Sequence, residues 1–135
     1  MKYWLGVVSK EHVLKGVKGG FAQVCHGKKV PLSRMKKDDW LIYYSPGLSI
    51  GKSDIQSFTA IGWVTDDEVF QFKMSTNFVP YRRKISYLSS KDVRLFSLKE
   101  QLELCQEKSW GFKLRRGLIE ISKVDFEVIK KSMVN

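Results

Sequence analysis

A chain of 135 residues and 15.7 kDa is sized for one domain, and a balance of 43% hydrophobic to 28% charged residues excludes a disordered tail or a linker-dominated chain. Two cysteines, Cys25 and Cys105, exclude a disulfide framework and a four-sulfur zinc site, so a reduced, cytoplasmic protein is expected. Lys and Arg number 24 against 14 acids, a net charge of +10 with a pI near 9.7, which favours a polyanionic partner, nucleic acid above all.

The opening run Tyr3–Val8 is apolar, aromatic and branched, as a central strand buried on both faces requires; it is too short for a secretory leader. Ser9 is placed to cap a helix through Lys18 with Val13, Leu14 and Val17 inward, stopped by Gly19 and Gly20. Residues 21–29 are irregular, and Pro31–Met35 reads as a single helical turn. Trp40–Tyr44 is a second buried strand, and the polar stretch 45–57 is a surface loop. Phe58–Val64 is a third strand, extending past the acidic residues 65–68 into Val69–Lys73. Pro80–Leu88 is a fourth. Leu98, Leu102 and Cys105 share one face of a helix over 97–105. Leu118–Ile121 is a last strand, after which Ser122 caps a helix with Val124, Phe126, Ile129 and Met133 inward. Strands outnumber helices, and the helices lie at the two ends of the chain. An α+β domain follows, with a strongly curved sheet or small barrel and helices packed on it.

Between Lys10 and Lys37 eight basic side chains meet one acid, Glu11, so the positive field gathers in the first third of the chain. No uncharged apolar run approaches the ~20 residues that span a bilayer, so no membrane partner is expected. Catalytic signals are sparse. His12 and His26 lack partners at metal-ligand spacing, Cys25 and His26 being adjacent and so pointing apart on extended chain; no metal site is expected. Gly47 through Ser53 has the look of a phosphate-binding loop but holds three residues between its glycines where four are needed. Nothing demands an enzyme or a cofactor. Aromatic and basic residues say more: Phe78 to Lys84 and Trp110 to Gly117 each interleave flat rings with cations, as a platform for unstacked bases does.

Four stretches in order resemble the EVE domain, a member of the PUA-like superfamily that includes the YTH and ASCH domains. They are Tyr3-Trp4-Leu5 followed by Ser9; Leu32-Ser33-Arg34-Met35-Lys36-Lys37-Asp38-Asp39-Trp40-Leu41-Ile42-Tyr43-Tyr44-Ser45; Ala60-Ile61-Gly62-Trp63-Val64; and Leu114-Arg115-Arg116-Gly117-Leu118-Ile119-Glu120-Ile121. The resemblance covers nearly the whole chain as one domain, 1–135. It implies a PUA-like pseudo-barrel of five or six mostly antiparallel strands with flanking helices. It also implies a non-enzymatic module that takes a nucleobase, in particular a modified one in DNA or RNA, into an aromatic-lined pocket.

In that pocket Ser9 and Ser45 would bond the base edge, with Gln23 or His26 standing in for an asparagine of commoner members. Phe21 and Cys25 would line the wall, and Tyr44, Tyr81 and Trp110 would supply stacking faces. Lys28, Lys29, Arg82, Arg115 and Arg116 would hold the flanking phosphates. The protein is expected as a monomer or weak dimer. Two alternatives stand beside this reading. One is an ASCH-like amidohydrolase acting on a modified nucleoside, pairing Lys28 with Glu11 or Glu120. The other is a pocketless RNA- or protein-binding domain.

Overall fold

The computed structural model describes residues 1–134. Seven strands form one mixed sheet: β1 Tyr3–Val7, β2 Phe21–Ala22, β3 Trp40–Ser45, β4 Ser57–Gln71, β5 Tyr81–Tyr87, β6 Val93–Arg94 and β7 Leu118–Ile121. Their order is β2-β5-β4-β3-β1-β7, with the two-residue β6 paired to β4, so the curved sheet stays open. The expected α+β, PUA-like curved sheet is what forms; the strand count exceeds five or six because β2 and β6 are too short to show in a hydrophobic pattern. Only β1 and β3 run parallel, with Tyr3 opposite Trp40 and Val7 opposite Tyr44; every other pairing is antiparallel.

The helices cover both faces, which is why β1 and β3 read as continuous apolar runs. On one face α1 (Lys10–Gly19) and α2 (Lys29–Arg34) close a core of Trp4, Val13, Leu32, Met35, Leu41, Tyr43, Val64 and Ile85. On the other, α5 (Lys123–Met133) and the segment 95–116 close a core of Leu5, Ile42, Tyr44, Phe58, Ile61, Leu98, Phe126 and Ile129. A register shift where Tyr44 meets Phe58 lets Phe58 and Ile61 face the same core three residues apart. Buried Asp39 ties the start of the β1–β3 pair together, accepting from Lys2 N, Trp4 Nε1 and Lys36 N at 2.9–3.0 Å.

Three expectations need correction. The helix over 97–105 is instead the short α3 (Leu95–Leu98) followed by 3-10 turns at Lys99–Gln101 and Glu103–Gln106. The buried Asp125 carboxylate accepts from Glu103 N at 2.7 Å and Leu104 N at 2.9 Å, and these bonds draw the chain out of α-helical register at an extended Leu102. In α1 the buried positions are Val13 and Gly16, while Leu14 and Val17 are exposed. The helix meets the sheet at Gly16, where a Cβ would stand 2.6 Å from the Phe21 carbonyl oxygen, and this rotates Leu14 and Val17 outward. Val124, in the first turn of α5, is also exposed. Elsewhere the reading matches. Ser122 Oγ accepts from Asp125 N at 3.1 Å to cap α5, and the acidic residues 65–68 lie within β4 as an irregularity in its pairing with β5.

Candidate nucleic-acid interface

Adjacent arginines on β5 point to opposite faces of the sheet, and each meets a different fate. Arg83, 2% exposed, donates to the carbonyls of Leu32, Met35 and Asp66, so that its guanidinium closes the C-terminus of α2. It is structural. Arg82, 8% exposed, has no carboxylate partner among the described residues. Its guanidinium carbon lies 3.8 Å from the centre of the Phe21 ring and 4.1 Å from that of Phe72. Its Nε donates to Gln23 Oε1 at 3.0 Å.

Gln23 is held in turn. Its backbone N–H donates to Tyr43 Oη at 3.3 Å, and its carbonyl accepts from His12 Nε2 at 3.1 Å. Burial, reinforced by the nearby Arg82 and Lys15 charges, pushes the His12 pKa below 6.5 and keeps the ring neutral. The Gln23 amide NH2 and the Arg82 terminal nitrogens have no protein acceptor among the described residues. A buried cation and a buried amide thus stand side by side with donors to offer.

Directly after Gln23 and Val24 the chain turns left-handed. Cys25, His26 and Gly27 have φ of 51°, 59° and 79°, and Gly27 N–H donates to the Val24 carbonyl at 2.9 Å. Two non-glycine residues in this conformation cost roughly 1–2 kcal/mol each, a strain the surroundings must hold in place. They do so from both sides. A Cβ at Gly27 would lie 2.3 Å from Pro80 Cβ, and one at Gly117 would lie 2.6 Å from Cys25 Sγ. The Cys25 thiol, its pKa raised by burial, donates to the Arg116 carbonyl at 3.4 Å. His26 is thrust out to solvent at the apex.

Around this turn lie Lys28, Lys29, Arg34, Arg115 and Arg116, all exposed and none within ion-pair distance of a carboxylate. Lys29 Nζ stands 5.8 Å above the Tyr81 ring, and Arg115 lies 5.0 Å over Phe112. Backbone bonds from Val7 N to the Gly117 carbonyl and from Val8 N to the Tyr44 carbonyl bring the end of β1, and hence Ser9, to the same region. The Ser9 side chain makes no capping bond to α1, so its hydroxyl is available.

Of the residues singled out from the sequence, the fold gathers Ser9, Phe21, Gln23, Cys25, His26, Tyr81, Lys28, Lys29, Arg82, Arg115 and Arg116 around one turn. It does not present the rest there. Tyr44 is buried edge-to-face on Phe58 at 5.8 Å, and Ser45, fully buried, bonds Thr59 Oγ1 at 2.8 Å. Trp110 packs against the other core, with Phe96 at 6.4 Å and Lys99 over its ring. Glu120 pairs with Lys2 at 3.7 Å, and neither it nor Glu11 is within ion-pair distance of Lys28. The sequence reading passed over His12, Arg34 and Phe72. Phe72 lies beyond the end of β4 and meets Arg82 only because Gln71 pairs with Tyr81, which no local pattern reveals.

Two open clefts lie beside this region or away from it. One of about 450 Å³ sits over Arg83 between Lys29, Lys36 and Asp67; the other, about 890 Å³, lies between β6 and α5. Neither is lined by Ser9, Tyr44, Tyr81 or Trp110. Among the described residues no three His, Cys, Asp or Glu side chains converge to hold a metal ion, and no helix is long and apolar enough to cross a membrane.

Comparison with known proteins places this geometry in context. The family model described as EVE domain matches residues 2–132. The UPF0310 protein YdcG of Bacillus subtilis is 52% identical over 134 residues, covering 97% of this chain and 91% of that protein. Among solved structures, the YTH domain of Zygosaccharomyces rouxii MRB1, in complex with N6-methyladenosine RNA, superposes with a TM-score of 0.63 at 16% identity, over 96% of this chain and 85% of that one. The ASCH protein of Zymomonas mobilis gives 0.61 at 11% identity, over 98% and 96%. At such identities the likeness is one of fold.

Proposed function

The chain belongs to the EVE domain family, and from that footing we propose that it is a nucleic-acid-binding module that draws one modified nucleobase against the Gln23–Arg82 pair while the surrounding cations hold the flanking phosphates. One observation carries the reading: five cations without acidic partners, Lys28, Lys29, Arg34, Arg115 and Arg116, ring a strained turn beside a nine-tenths buried arginine whose terminal donors are free. Phosphate oxygens complete the first group, and a base edge with acceptors completes the second. The Phe21 and Tyr81 rings offer flat faces for a base removed from its strand. The bound RNA of the superposed YTH domain supports the same class of partner.

Fluorescence anisotropy with labelled oligonucleotides, with and without methylated, hydroxymethylated or acetylated bases, tests this. Log affinity should fall with log salt by about 0.9 for each phosphate neutralised, and Lys28→Ala and Arg116→Ala should each lower that slope by about one. Lys131→Ala, on α5, should leave it unchanged. An affinity indifferent to salt refutes the phosphate contacts, and equal affinity for every base refutes the pocket.

A further inference from the structure

The connection between β4 and β5 has a composition that the fold does not explain. Phe72, Met74, Phe78 and Val79 are 49%, 45%, 39% and 40% exposed, a cluster of apolar side chains on a protein that otherwise covers itself with lysine. The segment is not loose. Phe72 N donates to the Pro80 carbonyl, Met74 N to the Phe78 carbonyl, and Phe78 N back to the Ser75 carbonyl, at 3.0–3.3 Å, which continues the two strands as a ribbon past their sheet. Its base is seated in the interface just described, since Phe72 lies on Arg82 and the Phe78 ring stands within 3.7 Å of the space a Gly27 side chain would fill. Its tip, Ser75-Thr76-Asn77, is polar.

A membrane-seeking loop places its apolar residues at the tip. Here they flank a tip able to hydrogen-bond base edges. A ring of unpaired cations lies at the base, so a polyanion drawn onto those cations brings its groove to the ribbon. The major groove of B-form DNA, about 12 Å wide, admits a two-stranded ribbon, whereas that of an A-form RNA duplex is too narrow for side chains to read. We propose that the β4–β5 hairpin probes duplex DNA: Ser75, Thr76 and Asn77 enter the major groove while Phe72 and Phe78 occupy the stack from which the base is withdrawn. This rests on the nucleobase-binding reading above and specifies its substrate as a duplex.

The probe is a short DNA duplex carrying 5-methylcytosine beside 2-aminopurine, whose fluorescence rises when the stack opens. It is compared with the same modified strand alone, the matching RNA duplex and phosphatidylglycerol vesicles. The wild-type protein should bind the DNA duplex and brighten the probe. Met74→Ser with Phe78→Ser should lose about tenfold in duplex affinity, abolish the brightening and bind the single strand within about twofold of wild type. Phe78→Trp should restore the brightening. Serine variants that bind and brighten like wild type overturn the inference, as does tighter wild-type binding to the single strand or the RNA duplex, or vesicle binding that the hairpin variants alone lose. If Lys28→Ala and Arg116→Ala weaken DNA binding while the hairpin variants do not, the hairpin inference fails and the nucleobase reading stands. If no DNA binds, both fail.

Discussion

His12 donates its Nε2 proton to the Gln23 carbonyl and shares its surroundings with the Arg82 and Lys15 charges, so its folded-state pKa lies below the ordinary 6.5. The sign follows directly. Above pH 6.5 the imidazole is neutral folded or unfolded and adds no pH dependence; below it the unfolded chain takes up a proton that the folded chain resists, and stability falls. His12→Gln keeps a donor for the carbonyl and removes that proton. Thermal unfolding of the variant should therefore lose several degrees less than wild type between about pH 7 and pH 5. Parallel curves would show that another group governs the acid limb. Nothing in the sequence marks His12 for this role, because its partner lies eleven residues on and is reached only when α1 folds back over β2. Phe21, Gln23 and Arg82, by contrast, were legible as site residues from the interleaving of aromatic, amide and basic side chains alone.

At the level of elements, the left-handed turn 25–27 depends on what presses on it. Gly51 and Gly27 both have positive φ, but a Cβ at Gly51 meets nothing within 4 Å, whereas one at Gly27 strikes Pro80. Alanine at Gly51 should cost only the backbone penalty of ~1–2 kcal/mol. Alanine at Gly27 should cost that and ~1–3 kcal/mol more for overpacking, and should also weaken oligonucleotide binding by displacing the turn. Urea unfolding of the two variants separates the contributions; equal losses would mean that Pro80 gives way freely. The segment 95–106 teaches the complementary lesson. Its three apolar positions were correctly read as buried, yet it is not one helix, because the Asp125 carboxylate, some twenty residues later, takes the Glu103 and Leu104 amides for itself.

Over the whole molecule, 24 basic side chains face 14 acidic ones, and five cations take part in ion pairs, Lys2, Lys10, Arg83, Lys84 and Lys113. The unbalanced remainder repels itself, most strongly where Lys28, Lys29, Arg34 and Arg116 meet. Raising ionic strength from about 0.01 M to about 0.15 M shortens the Debye length from ~30 Å to ~8 Å, and should raise the unfolding temperature by a few degrees. The same change should weaken oligonucleotide binding. Salt acting in opposite directions on stability and on binding is the signature of a cation cluster kept for a partner; a fall in both would show that the ion pairs within the fold outweigh the repulsion.

The amino-acid sequence by itself determined the buried strands, the capped last helix, the family and the basic character, since each is carried by residues close together in the chain: apolar runs, a serine before a helix, ordered short motifs. Tertiary structure alone decided which of those residues form a site. Arg82 and Arg83 are neighbours of one kind, yet the pleat sends one to seal α2 and the other to rest on Phe21 and Phe72, and Tyr44 and Ser45, a plausible pair on paper, vanish beneath Phe58 and Thr59. Strand register and the pairing of distant segments assign those places, and they follow from how the whole sheet closes its two cores rather than from any local pattern.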